Sequence, residues 1–185
     1  HGYGCRPAAQ PCKIGHGGMI IRPERQGDEE AIARVTEEAF RDVDHSDKTE
    51  HLIVARLREG GALTVSLVAE DSEGIVGHIG FSPVTLSSGD SGWFCLAPLS
   101  VTPERQGEGI GSRLVREGLG ALDRLSASGC VVAGDPDYYG RFGFRAVEGP
   151  SAMGIPNEYF TVLRLHGGTP SGIVSFHPGF DSDSA

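Results

Sequence analysis

The run Gln106-Gly107-Glu108-Gly109-Ile110-Gly111 lies directly after one apolar stretch, Trp93 to Val101. It lies directly before another, in which Ile110, Leu114, Leu119 and Leu122 recur at helical spacing. The order is strand, glycine-rich turn, and a helix from Gly109 to about Ser126. A helix start leaves about four backbone N–H groups without partners and carries roughly half a positive charge, and glycines let an anion approach that backbone. The run is a candidate anion cradle. It matches neither of two familiar phosphate loops. A dinucleotide fingerprint needs Gly or Ala where this chain has Ser112, counting from Gly107, or Leu114, counting from Gly109. The Walker loop needs Gly-Lys before Ser or Thr, whereas Gly111 precedes Ser112 directly. On the turn alone two readings stay open, an anion site and a connection that binds nothing.

Upstream, Pro98 interrupts the strand. Proline has no N–H to give a ladder, so it marks an edge, a bulge or a place where strands part. Either the strand faces water there, or a cleft opens in which backbone groups of Leu99, Ser100 and Val101 pair with an extended ligand. Leu63 to Glu70 and Ile75 to Leu86, rich in Val, Ile, Leu, Thr and Phe and separated by Asp71-Ser72-Glu73-Gly74, read as a hairpin. Before them, Met19 to Arg22 reads as a strand closed by Pro23. Asp28, Glu29 and Glu30 then place acid at the start of a helix with the apolar face Ile32, Val35, Ala39 and Phe40. A second helix starts near Asp47, with Glu50 three residues on as a capping box, runs through Leu52, Ile53 and Leu57, and stops at Gly60.

Downstream, Cys130 to Ala133 is a short buried strand, so the strand, helix, strand unit around the cradle demands a right-handed crossover and one parallel pair. Pro136 to Phe142 reads as a short helix, and Tyr159 to Leu165 and Ile173 to Phe176 as the last strands, with Gly167, Gly168 and Pro170 turning between them. The predicted class is α/β (α+β), a mixed, mostly antiparallel sheet flanked by helices. With 185 residues the chain fits one domain, expected over 19–180. Residues 1–18, rich in Gly and Pro, read as an extension outside it, and 181–185 as a tail.

Sixteen Lys and Arg against 25 Asp and Glu give a formal charge of −9, which repels a phosphate backbone and argues against nucleic acid as a partner. A cationic substrate suits that field, although solubility alone also accounts for an acidic chain. No apolar run approaches the roughly 18 residues of a membrane span. The four cysteines show no paired CxxC spacing, and Cys95 and Cys130 lie in apolar runs, which suggests a reducing compartment. His1, Cys5, Cys12 and His16 match no standard metal spacing, so no metal is expected. With no secretory pattern at the start, a cytoplasmic location is expected.

Gln106, Gly109 and Gly111 fit the pattern Gln or Arg, two residues, Gly, one residue, Gly or Ala. About 30 residues on, Tyr139 stands four residues before Gly143-Phe144. Together these motifs resemble the GNAT superfamily of acyl-CoA-dependent N-acyltransferases. Ser66 to Glu70, Val76 to Phe81, Ala97 to Ser112, Asp135 to Phe144 and the closing Phe176-His177-Pro178-Gly179-Phe180 resemble a bacterial subgroup of it, with Ala133 and Gly179 as small departures. The resemblance implies a GNAT-like twisted sheet splayed between the fourth and fifth strands. It implies acetyl-CoA as co-substrate, an amine acceptor that is either a small amine or a protein lysine or N-terminus, and direct attack in a ternary complex.

It also implies a pyrophosphate on the N–H groups of Gln106, Gly107, Glu108, Gly109, Ile110 and Gly111, with Ser112 completing the cradle. The pantetheine arm would pair with Leu99 and Val101, and a backbone N–H near Leu99 or Ser100 would face the developing oxyanion. Tyr139 takes the general-acid position. A phenol near pKa 10 is a weaker acid than a thiol near 8.5, so hydrogen bonding is its main expected role, with core packing on Phe142 and Phe144 as the alternative. Tyr138 reads as packing. Some relatives use a Glu on the strand before the cradle, and Trp93 to Val101 contains no carboxylate. Glu50, His51, His78 and His177 are the remaining base candidates beside a solvent route. Dimers are common in the family. A CoA-binding module without catalysis is the second class of function, and an unrelated nucleotide-phosphate binder the third.

Overall fold

The computed structural model describes residues 18–181. In chain order its main elements are β1 (Ile20–Pro23), α1 (Glu29–Phe40), α2 (Glu50–Glu59), β2 (Val65–Asp71), β3 (Gly74–Pro83), β4 (Thr85–Leu86), β5 (Trp93–Val101), α3 (Ile110–Arg124), β6 (Gly129–Ala133), α4 (Pro136–Gly140), β7 (Pro150–Ala152), β8 (Phe160–Arg164) and β9 (Gly172–Ser175). Six strands form one sheet in the order β1-β2-β3-β5-β6-β8. Every neighbouring pair in it is antiparallel except β5 and β6, which α3 connects as the crossover. The mixed sheet and its flanking helices agree with the expected class.

Alternation along β2 decides what each face buries. Leu67 and Ala69 join Ile79, Phe81, Leu96, Leu114, Val115 and Leu122 under α3, whereas Val68 between them joins Ile32, Val35, Val54 and Ile75 under α1 and α2. Each of the larger side chains among them, taken fully out of water, contributes about 1.5–3 kcal/mol. A third cluster, with Trp93, Cys95, Val131, Phe160 and Val174, joins the far half of the sheet to a small second sheet, β4-β9-β7.

Three local expectations change. The stretch from Ile75 to Leu86 divides, because Pro83 ends β3 and Thr85–Leu86 crosses to pair with β9. β7, three residues long, was not foreseen. The second helix lacks the expected capping box. Asp47 Oδ1 instead accepts from the N–H and hydroxyl of Thr49, and the Ser46 hydroxyl donates to the Glu50 carboxylate. Leu52 of that helix is 41 % exposed, so its inner face is Val54 and Leu57.

Burial pushes the Cys95 thiol up to about 12 and the Cys130 thiol well above its ordinary value. The thiolate is the reactive species. Both cysteines should therefore resist Ellman's reagent at pH 8 in the folded protein and react once it is unfolded in guanidinium. Rapid labelling of either by peptide mapping would show that the core opens there.

Candidate active site

Pairing between β5 and β6 covers Trp93 with Gly129, Phe94 with Cys130 and Cys95 with Val131, and then stops. Beyond Cys95, β5 continues along β3 alone, with Ile79 opposite Leu99, His78 opposite Ser100 and Gly77 opposite Val101. The sheet is thus open between its fourth and fifth strands, and Pro98 lies in the stretch without a second neighbour. Thr102 N–H donates to Val76 O at 2.9 Å, on the β3 side. With a period of two, Ser100 also faces β3, and Leu99 and Val101 turn their backbone groups to the open edge. Val101 O already accepts from Gln106 Nε2 at 3.1 Å.

The chain then makes a short 3₁₀ turn, Pro103–Arg105, that Gln106 N–H closes onto Pro103 O at 3.3 Å. Gly107 and Gly109 follow with φ of +84° and +85°, the left-handed region in which any other L-residue costs about 1–2 kcal/mol. This backbone leaves the N–H groups of Gly107 to Ser112 without acceptors among the described residues, at the head of a 15-residue helix. The donor set and dipole suit a phosphate. At Gly111 a Cβ would lie 2.9 Å from Tyr138 Oη and 3.8 Å from both Leu99 Cδ2 and Val101 Cγ2, so the first turn of α3 faces β5 across a bare glycine. Arg105 is tied to Asp71 and Glu108. Arg141 stacks over the Tyr138 ring at 4.4 Å and donates weakly to Ser112 Oγ at 3.5 Å, with no carboxylate partner among the described residues.

Two cavities share Phe40, Val43, Leu99, Gln106 and Tyr138 and so form one cleft. The first, about 540 Å³, holds the cradle, Arg105 and Arg141. The second, about 800 Å³, reaches past Pro98 to Tyr139, Glu50, Asp135 and Phe180. Tyr139 sits edge-on to Tyr138 and Phe144, with centroids 5.0 and 5.9 Å away. Its burial pushes the phenol above its ordinary value, with the Tyr138 hydroxyl adding to the shift, and its Oη has no hydrogen-bond partner among the described residues. Phe180 is placed by the closing segment, where Arg56 Nη1 donates to Asp181 O at 3.1 Å and Gly179 N–H donates to His177 Nδ1 at 2.9 Å.

Of the expected site residues, Leu99, Val101, Gln106, Gly107, Gly109, Ile110, Gly111, Ser112 and Tyr139 border the cleft. Ser100 does not. Its backbone is directed to β3 and its side chain is 1 % exposed. Gln106 is a second correction, because its N–H is spent on Pro103 and its side-chain amide secures Val101. Glu108 keeps a free N–H but turns its carboxylate out to Arg105. Among the base candidates Glu50 alone borders the cleft; His51 stands outside it, His78 is wholly buried, and His177 caps the last turn. Tyr138, Arg141 and Asp135 are additions that the sequence reading missed as site residues. The His1, Cys5, Cys12 and His16 set lies outside the described residues. Among the described residues no group of three or more His, Cys, Asp or Glu side chains is placed to hold a metal, and no helix is long and apolar enough to cross a membrane.

An open sheet beside a glycine cradle defines the acyltransferase fold that the motifs resemble, and comparison with known proteins agrees. The family model for the acetyltransferase (GNAT) domain matches residues 63–146. A GNAT family acetyltransferase from Brucella melitensis, crystallised in complex with acetyl-CoA, is 47 % identical, with a TM-score of 0.79 over 88 % of this chain and 98 % of that one. The uncharacterized N-acetyltransferase YhbS of Escherichia coli is 40 % identical over 127 residues, 68 % of this chain and 73 % of the relative. The crystal structure of YhbS in complex with CoA superposes with a TM-score of 0.76 at 34 % identity, covering 88 % and 91 % of the two chains. The chain belongs to the GNAT family of acetyltransferases.

Proposed function

We propose that the protein transfers the acetyl group of acetyl-CoA to a primary amine by direct attack within a ternary complex. The observation that carries this reading is the row of free N–H groups from Gly107 to Ser112, set beside the open edge of β5 at Leu99 and Val101. Acetyl-CoA supplies a thioester whose carbonyl carbon gains a bond to nitrogen as its bond to sulfur breaks. The cradle residues hold the pyrophosphate, with Arg141 beside it. Leu99 and Val101 pair with the pantetheine arm as a missing strand would, and the Leu99 N–H faces the growing oxyanion. One such donor is worth roughly 10²–10³ in rate.

The cleft is electrically polarised. Arg141, which no carboxylate neutralises among the described residues, stands at the cradle end, Glu50 and Asp135 at the other, and neither of these two carboxylates has a cationic partner among the described residues. An anionic cofactor and a cationic acceptor are thereby drawn to opposite ends, with their reactive groups meeting near Pro98 and Tyr139. The Tyr139 phenol stays protonated at neutral pH and is a weaker acid than the leaving thiol, so it serves by donating a hydrogen bond to the sulfur. Losing a hydrogen bond to a charged partner costs about 1.5–3 kcal/mol, hence Tyr139→Phe should lower kcat roughly 10- to 100-fold and leave acetyl-CoA affinity near wild type. An unchanged kcat would reduce Tyr139 to packing.

The reading as a whole is tested by free-thiol release from saturating acetyl-CoA with polyamines, amino acids, aminoglycosides and peptides carrying free N-termini or lysines. Acceleration by one class establishes the transfer and names the acceptor. Tight acetyl-CoA binding with no acceleration by any amine would favour a binding module instead.

A further inference from the structure

We propose that the acceptor is a small aliphatic diamine and that Glu50 selects it by pairing with the ammonium group that does not react. The inference rests on the acetyl-transfer reading and names the acceptor class of that same cleft. Attack needs a neutral amine with a free lone pair, and a carboxylate paired with the reacting nitrogen would hold it as ammonium. A fixed carboxylate in this cleft therefore serves a second cation on the same molecule better than it serves the nitrogen that is acetylated.

Glu50 is the carboxylate so fixed. It is half-buried at the start of α2, one turn before Ile53, and both residues line the wider part of the cleft, about 800 Å³. The Ser46 hydroxyl donates to its Oε1 and Oε2 at 2.8 and 2.7 Å, and Ser46 Oγ in turn accepts from Lys48 N–H at 2.9 Å. That single hydroxyl proton satisfies one of about four lone-pair sites on a carboxylate. No ion pair reaches Glu50 among the described residues. The cation next to it in sequence is engaged elsewhere, since Lys48 Nζ donates to Phe40 O at 2.9 Å and to Val43 O at the end of α1. Most of the acceptor capacity of a half-buried, oriented carboxylate is thus left for a ligand.

Position supports the role. Glu50 also borders a smaller cavity of about 180 Å³, with Glu37, Arg41 and Lys48, that holds none of Pro98, Leu99 and Tyr139. It therefore stands on the outer side of the cleft, away from the reacting end that those three residues mark. The lining of this part is otherwise largely apolar, with Phe40, Val43, Ile53, Leu96 and Phe180. Methylene groups suit such walls, whereas a hydroxylated or amide-rich acceptor would leave polar groups there without partners. Asp135 adds to the negative field, but it is exposed and spends Oδ1 on the N–H of Asp137, so it holds a cation less firmly. A molecule with one ammonium on Glu50, a methylene chain along the apolar lining and an amine at the thioester satisfies both ends of the cleft.

Wild-type protein, assayed by free-thiol release at saturating acetyl-CoA, should turn over diaminobutane with kcat/KM at least about tenfold above that for pentylamine, in which a methyl group replaces the second ammonium. That comparison needs no variant. Glu50→Gln keeps the size of the side chain and the bond from Ser46, and it should raise KM for diaminobutane at least about tenfold, with the change in KM rather than kcat, so that the preference over pentylamine collapses. A purely structural role for Glu50 would change both acceptors alike, and a role as base would lower kcat for both. Pentylamine used as well as diaminobutane, or a variant that affects the two alike, overturns the diamine reading and leaves acetyl transfer standing. A lysine peptide preferred over diaminobutane does the same and places the acceptor on a protein. A wild-type protein that acetylates no amine removes both readings.

Discussion

Gly111→Val is expected to abolish acetyl-CoA binding and leave the fold intact. The Cβ it introduces points across the cleft, 2.9 Å from Tyr138 Oη, and its methyl groups occupy the gap to Leu99 Cδ2 and Val101 Cγ2, each 3.8 Å from that Cβ. This is the passage between the first turn of α3 and the open edge of β5. In the proposed binding mode the pyrophosphate enters it to reach the N–H groups of Gly107 to Ser112. Gly111 is helical and has no positive φ, so valine adds no backbone strain, and its helix propensity is slightly better than that of glycine. Tyr138 is half-buried and free to give way. Titration calorimetry should therefore show acetyl-CoA affinity weakened by more than about 100-fold, near 2.7 kcal/mol, with Tm within a few degrees of wild type. Wild-type affinity would mean that the cofactor does not pass between α3 and β5, and the proposed binding mode would fall with it.

The parts of this site written in adjacent residues were legible. A strand, glycines and a helix with one apolar stripe are local patterns, and Pro98 announced that the ladder fails where β6 leaves β5. Ser100 shows where legibility ended. Leu99, Ser100 and Val101 look alike as candidates until the bond from Thr102 N–H to Val76 O sets the phase, and that partner is 26 residues away in sequence. Tyr138 and Tyr139 differ by one step along a one-turn helix, about 100° of rotation, which sends one ring beside α3 and the other toward Phe144. The small sheet escaped for a related reason. A three-residue strand has too few positions to show a period.

The relation between core and cleft is sharpest at Gly118, where substitution by alanine should lower Tm by roughly 2–8 °C. In an exposed helix the same change gains up to about 1 kcal/mol. Here a Cβ would lie 2.3 Å from Phe81 Cε1 and 2.6 Å from Cζ, distances at which something must move. Phe81 is 0 % exposed and wedged between Val65 of β2 and Leu96 of β5 in the sheet register. Overpacking of this kind costs about 1–3 kcal/mol and sometimes more, and with 2–4 °C per kcal/mol in a chain this long the clash outweighs the propensity gain. The displacement would reach function through Leu96, since it borders the cleft just where β5 loses β6. Thermal unfolding and the KM for acetyl-CoA, measured on the same variant, should worsen together. A Tm at or above wild type would show that α3 can shift away from Phe81 at little cost, and the strand edge proposed to bind the cofactor would then be decoupled from the core beneath it.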